Sequence, residues 1–162
     1  DTLIVLWTDH GWHLGEKLGW RKFKLWERAT KVPLVFAGPG VAKNVKNENV
    51  VSLMDVKPTI TDMLLNNKKP AQFGESMKSI LSTPSRKEDR SAVTAMSEDS
   101  EGKLKAYSVR NARWRYIEHS DGTAELYDHD ADPKEHINLL ARENSRNHLQ
   151  SIVRMLKSKA GK

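Results

Sequence analysis

The sequence predicts an α/β layer followed by a small four-stranded antiparallel sheet that a C-terminal helix closes. Three observations predict it. Two short apolar, β-rich runs, residues 3–7 and 32–37, bracket a stretch punctuated by Gly11, Gly15 and Gly19. Downstream, residues 91–97, 104–110, 113–119 and 124–128 are short runs separated by turn signals. Near the end, Leu149, Ile152, Val153 and Leu156 recur at helical spacing.

Taken in order, residues 3–7 are apolar throughout, the pattern of a buried strand in a sheet covered on both faces. Residues 9–30 read as a long loop with a helical turn. Residues 32–37 form the second strand, with Pro33 tolerated near its start and Gly38-Pro39-Gly40 ending it. Val50-Val51 is a short extended piece. Residues 55–66 read as a helix, because Val56, Ile60, Met63 and Leu64 share one stripe and Pro58 falls in the first turn. Residues 66–90 are polar loop and short helix. Asn111-Ala112 and Asp121-Gly122 are hairpin connections between the later strands, and Asp132-Pro133 is a turn. Lys157 and Lys159 suit the negative end of the last helix. The character of the chain changes near residues 82–90. It divides into residues 1–85, the α/β part, and residues 86–162, the antiparallel-sheet part with its closing helix.

Composition excludes several classes. Of 162 residues, 38% are hydrophobic and 30% charged, which is globular. Cysteine is absent, so disulfides, thiolate zinc sites and a cysteine nucleophile are excluded within these residues. No apolar run approaches the ~18 residues of a membrane-spanning helix, so no membrane partner is expected. Residue 1 is not Met and a strand-like run follows at once, so the sequence reads as a piece of a longer protein. Net charge is +6, unevenly placed: Lys17, Arg21, Lys22, Lys24, Arg28 and Lys31 cluster against the single anion Glu27. Arg113-Trp114-Arg115-Tyr116 suggests stacking on nucleic acid, but strand alternation with one packed and one wet face explains it more simply. No nucleic-acid partner is expected.

The first strand ends in Thr8-Asp9-His10-Gly11. Ligand sites in open α/β sheets form at such strand ends. A carboxylate suits a hard divalent cation, an imidazole suits zinc or manganese, and Gly11 permits a sharp turn after them. From the residues alone, the corner is either a metal site or an Asp–His pair closing a turn. His13 lies close enough in sequence to line a pocket beside it.

The stretches Thr8-Asp9-His10-Gly11-Trp12-His13-Leu14-Gly15-Glu16, Gly19-Trp20-Arg21-Lys22 and Glu27-Arg28-Ala29-Thr30-Lys31-Val32-Pro33-Leu34 closely resemble the sulfatase family of the alkaline-phosphatase superfamily, in the branch of iduronate-2-sulfatase and choline-sulfatase. Downstream, Asp55 with Val56-Lys57-Pro58-Thr59, Gly74-Glu75-Ser76-Met77, Arg115-Tyr116-Ile117, Glu125-Leu126-Tyr127-Asp128, Asp132-Pro133-Lys134-Glu135 and Asn138-Leu139 continue the resemblance in the family's order. It covers residues 1 to about 140 and implies the C-terminal portion of an alkaline-phosphatase-like mixed sheet with its small antiparallel sheet. It also implies metal ligation by Asp9 and His10, usually of calcium, with Mg2+, Mn2+ or Zn2+ as alternatives. It implies a sulfate contact, hence a catalytic and substrate-binding role, for Lys22. Fixed cations aimed at the oxygens of a sulfate ester stabilise the charge that develops on S–O cleavage.

The resemblance further implies a formylglycine nucleophile and two more Asp ligands in an N-terminal half that would be this chain's partner. The implied substrate is a sulfated small molecule or saccharide. The implied compartment is periplasmic, extracellular or lysosomal. An inactive orphan half or scaffold piece, or a phospho- or phosphonate-ester hydrolase of the same superfamily, are the alternatives. Ser82-Thr83-Pro84-Ser85-Arg86 matches the family's Cys/Ser-x-Pro-Ser-Arg nucleophile string. It follows the Asp-His corner instead of preceding it and sits in a charged linker, so it reads as a solvated turn. His119, His129, His136 and His148 show no ligand spacing and read as structural or surface residues.

Overall fold

The structure, a computed structural model, describes residues 1–65, 72–97, 103–141 and 146–161, with side chains undescribed for residues 146–148. The side chain of His148 and the end of the expected helix at Asn66 therefore lie outside the described residues. The chain forms two compact units: residues 1–9 with 32–90, and residues 10–31 with 91–162. The loop that a linear division at residue 85 leaves with the α/β part is grouped here with the antiparallel sheet.

In the first unit, β1 (Ile4–Trp7) pairs antiparallel with β4 (Leu34–Ala37), Val5 opposite Phe36 and Leu6 opposite Val35. Side chains alternate across this pair. Val5, Leu34 and Phe36 pack on a core of Val56, Met77 and Ile80. Ile4, Leu6 and Val35 point the other way and are exposed. The expectation of a strand buried on both faces is thus corrected: only one face of this two-stranded pair is covered within the described residues. Val50-Val51, expected extended, is irregular.

Helix α2 (Val56–Leu65) starts where expected. Ser52 and Asp55 cap the 3-10 turn that leads into it, each side chain accepting from the other's end of the turn. Its buried stripe differs from the apolar reading. Thr59 is fully buried while Leu64 is exposed. The Thr59 hydroxyl donates to Asp55 O (2.6 Å) and accepts from Met77 N (2.8 Å), so a polar residue is satisfied in the core. Helix α3 (Lys78–Ser82) follows. Ser82 is its last residue, exposed, with its hydroxyl turned back onto Ser79 O at 3.1 Å. Pro84 and Ser85 form the expected turn.

The second unit is built on the sheet β5 (Ala92–Ser97), β6 (Leu104–Arg110), β7 (Trp114–His119) and β8 (Ala124–Asp128), antiparallel throughout in sequence order. Each hairpin carries a local device. Asn111 Oδ1 accepts from the amides of Arg113 and Trp114, and Asp121 accepts from Thr123 beside Gly122 at φ 83°. Helix α4 (Arg146–Lys159) lays Leu149, Val153 and Leu156 against Tyr107, Val109, Tyr116 and Leu126 on one face of the sheet. The other face, carrying Ala106, Ile117 and Tyr127, is covered by Leu25 and Trp26 from the 10–31 loop. This corrects the expectation of one wet face. Arg115, Tyr116 and Ile117 are consecutive and all buried, because both faces are packed.

Candidate active site

The 10–31 loop is a short hairpin followed by a helical turn. Strands β2 (His13–Leu14) and β3 (Trp20–Arg21) pair antiparallel, His13 opposite Arg21 and Leu14 opposite Trp20. A 3-10 turn at Glu16–Leu18 joins them, and the turn α1 (Glu27–Thr30) ends the loop. Three non-glycine residues of the hairpin are left-handed: Lys17 (φ 54°), Leu18 (φ 56°) and Arg21 (φ 67°). Each such residue costs roughly 1–3 kcal/mol and persists only where surrounding contacts impose it. Gly11 has its own requirement. A Cβ there would stand 2.1 Å from Arg28 O, because Gly11 N donates to Ala29 O at 2.8 Å.

The four residues singled out by sequence fall as follows. Asp9 is exposed just past β1, with the Thr8 hydroxyl 3.4 Å from its carboxylate. His10 is half-buried, and its Nδ1 lies 2.7 Å from Gly11 O. A carbonyl only accepts, so this contact puts a ring proton on Nδ1. Lys22 is half-buried directly past β3, its Nζ 5.7 Å from the Phe23 ring. His13 is 1% exposed under the hairpin, edge-on to Trp26 at 5.8 Å, with Nδ1 3.3 Å from Glu16 O.

Among the described residues, the group of three ligand-type side chains is elsewhere: Glu27, His129 and Glu135, whose ligand atoms lie within 4.8 Å of one another. Such a group could hold a metal ion. Its centre, however, already holds a cation. Arg115, 2% exposed, donates from Nε to Glu135 (2.5 Å), from Nη2 to Glu27 (2.5 Å), and from Nη1 to Ser108 Oγ (2.6 Å) and Leu25 O (3.0 Å). Arg110 adds a second guanidinium, 3.3 Å from Glu27 and 2.9 Å from His129 Nδ1. Because a guanidinium only donates, His129 accepts at Nδ1 and carries its proton on Nε2, which donates to Glu135 at 2.8 Å. Two carboxylates thus balance two guanidinium groups around a neutral imidazole. Burial pushes the Glu135 carboxyl up, but the His129 hydrogen bond and the Arg115 charge outweigh it and hold it below the ordinary range. Burial also opposes ionisation of Glu27, and the Arg115 and Arg110 charges again win.

No local spacing announces this cluster. Glu27, Arg115 and Glu135 come from the loop, from β7 and from the turn after β8. In the sequence, Glu135 stands out only as part of the Asp-Pro-x-Glu block.

The chain is similar to known proteins over most of its length. The model of the family described as N-sulphoglucosamine sulphohydrolase, C-terminal, matches residues 15–162. A sulfatase of Formosa agariphila is 36% identical over 138 residues, covering 85% of this chain and 26% of that protein. The choline-sulfatase of Rhizobium meliloti is 35% identical over 142 residues, covering 86% of this chain and 27% of that protein. The chain thus spans about a quarter of the length of these relatives. The fold matches that of a protein solved with its substrate D-glucosamine-2-N,6-O-disulfate (TM-score 0.75, 23% identity, 96% of this chain and 33% of that one). It also matches a phosphonate monoester hydrolase of Silicibacter pomeroyi (TM-score 0.78, 26% identity, 99% of this chain and 35% of that one). With nine-tenths of its residues inside one family model, and sulfatases at over a third identity beside it, this chain belongs to the sulfatase family, as its N-sulphoglucosamine sulphohydrolase-type C-terminal portion.

Proposed function

We propose that this chain is the C-terminal portion of an enzyme that hydrolyses sulfate esters, and that it supplies Lys22 as the sulfate-contacting cation and Asp9 and His10 as metal ligands. The observation that carries this reading is the hairpin. It places Lys22 immediately after β3 in a strained, anchored loop that follows the Asp9-His10 corner. Strained backbone held by tertiary contacts is characteristic of functional loops.

In this reading the Lys22 ammonium pairs with the sulfate oxygens and gains strength as charge moves onto them during S–O cleavage. Asp9 and His10 would hold a divalent cation, with calcium the first choice and Mg2+, Mn2+ or Zn2+ the others. The chemistry such a cation would supply is polarisation of the sulfate group. The nucleophile, a formylglycine, and the remaining metal donors belong to sequence outside these 162 residues. The burial of His13 favours a role in holding the hairpin over direct substrate contact. Sulfated saccharides are the favoured substrate class, in line with the disulfated glucosamine bound by one structural neighbour. A phosphonate-ester substrate is the second reading, favoured by the likeness to the Silicibacter pomeroyi hydrolase.

The division of labour has a direct test. The purified 162-residue chain, supplied with calcium and an aryl sulfate, is expected to show no turnover, and Ser82→Ala to change nothing. Turnover that disappears in Ser82→Ala would overturn the assignment and make the Ser82-Thr83-Pro84-Ser85-Arg86 string the nucleophile.

A further inference from the structure

We infer that Lys17 is the positioning residue for Lys22, acting by riveting the hairpin to the antiparallel sheet. The inference rests on the reading of Lys22 given above. Lys17 Nζ sits 4.2 Å from the ring centroids of both Trp26 and Tyr127, a cation between two aromatic faces. It donates to Tyr127 Oη at 2.7 Å and to Glu135 O at 2.5 Å. The two rings are themselves fixed by one carboxylate. Glu125 accepts from Trp26 Nε1 at 2.8 Å and from the Tyr127 hydroxyl, while His119 Nε2 lies 3.0 Å from its other oxygen. Both walls of the socket are thus tied to the same carboxylate.

The segment that carries Lys22 hangs between two anchors. On one side is Lys17. On the other, Leu25 and Trp26 are packed on the sheet, and Leu25 O accepts from Arg115. Between them, Leu18 is 96% exposed, and Trp20 and Phe23 are also exposed. Side-chain packing contributes little to holding this span, so its shape depends on its ends and on the two-residue pairing of β3 with β2. The left-handed φ of Lys17 begins the sequence of left-handed residues that includes Leu18 and Arg21 and ends one residue before Lys22. Releasing the Lys17 rivet frees these residues to relax to ordinary backbone conformations, and Lys22 moves with them. Burial pulls the Lys17 ammonium below its ordinary range, while the charges of Glu125, Glu135 and Asp132 act to keep it protonated.

Lys17→Met keeps the apolar stem and removes the charge and donors, whereas Lys17→Arg keeps a cation and donors between the rings. In the 162-residue chain, Lys17→Met should speed amide hydrogen exchange in residues 18–24 about tenfold or more, leaving β6 and β7 unchanged. In the longer protein that carries this chain, it should lower kcat for an aryl sulfate by about 10–100-fold with a smaller change in KM, the scale of a misplaced catalytic group. Lys17→Arg should recover most of both. Wild-type exchange and rate in Lys17→Met, or a rate loss matching only the loss of folded protein with no recovery in Lys17→Arg, would overturn the inference. If Lys22→Ala kept the full rate, the reading of Lys22 would fail separately, and the exchange measurement would still decide whether Lys17 holds the hairpin.

Discussion

Arg115→Ala is expected to destabilise the second unit by about 3–5 kcal/mol, the loss typical of removing one partner from a buried ion pair. The effect is large because the substitution leaves two charges behind. Glu135 is 1% exposed and Glu27 mostly buried, and both lose their principal cation at once. The carbonyl of Leu25 and the hydroxyl of Ser108 lose their donor as well. On the usual conversion this lowers Tm by roughly 10–20 °C. Arg113→Ala is the control. That guanidinium also pairs with a carboxylate, Asp128, at 2.6 Å, but it is 53% exposed, and its removal should cost no more than about 1 kcal/mol.

The same cluster sets an acid limit. Glu27 and Glu135 are held below the ordinary value of 4.5, so their stabilising contribution is complete above that value. It is lost as pH falls through their folded-state values. Acid unfolding of the wild type should therefore be steep below about pH 4.5, whereas Arg115→Ala should begin to lose structure at higher pH. Circular dichroism across a pH series separates the two.

Lys22→Ala is expected to lower kcat/KM for a sulfate ester by about 10²–10³-fold in the longer enzyme proposed above, the range found when one preorganised charge stabiliser is removed. Lys24→Ala, two residues on and exposed, should change it by less than about threefold, since a solvated cation is screened at this range. The contrast matters because both lysines belong to one basic cluster. A general electrostatic attraction of anionic substrate would make the two substitutions nearly equal and would appear mainly in KM. A directed contact to the reacting group separates them and appears in kcat.

Much of this was legible in the sequence, for identifiable reasons. The four strands and α4 were readable because turn residues such as Asn111, Asp121 and Gly122 and a helical stripe ending at Leu156 act locally. The family was readable because short blocks such as Thr8-Asp9-His10-Gly11 and Glu125-Leu126-Tyr127-Asp128 recur in order. What escaped was tertiary. Arg115 looked like the wet side of a strand, but the 10–31 loop covers that face, and its contacts join residues 88 and 90 apart. The burial of His13 beneath its hairpin is also tertiary, a consequence of its pairing with Arg21 and its packing on Trp26. Residues 3–7 looked buried on both faces because a uniformly apolar run does not tell which neighbours it will have. Thr59 is the reverse case, a polar residue in the core because Asp55 and Met77 satisfy its hydroxyl.

The class of ester is the point on which the reading of this site turns. An aryl sulfate and an aryl phosphonate monoester each carry one negative charge on a tetrahedral group of similar size, so Lys22 alone does not discriminate between them. The decisive measurement is the ratio of kcat/KM for the two esters, made with one aryl leaving group on the longer protein that carries this chain. A ratio favouring the sulfate by about tenfold or more is expected, with Lys22→Ala cutting the sulfate rate. A ratio favouring the phosphonate would contradict the sulfatase reading.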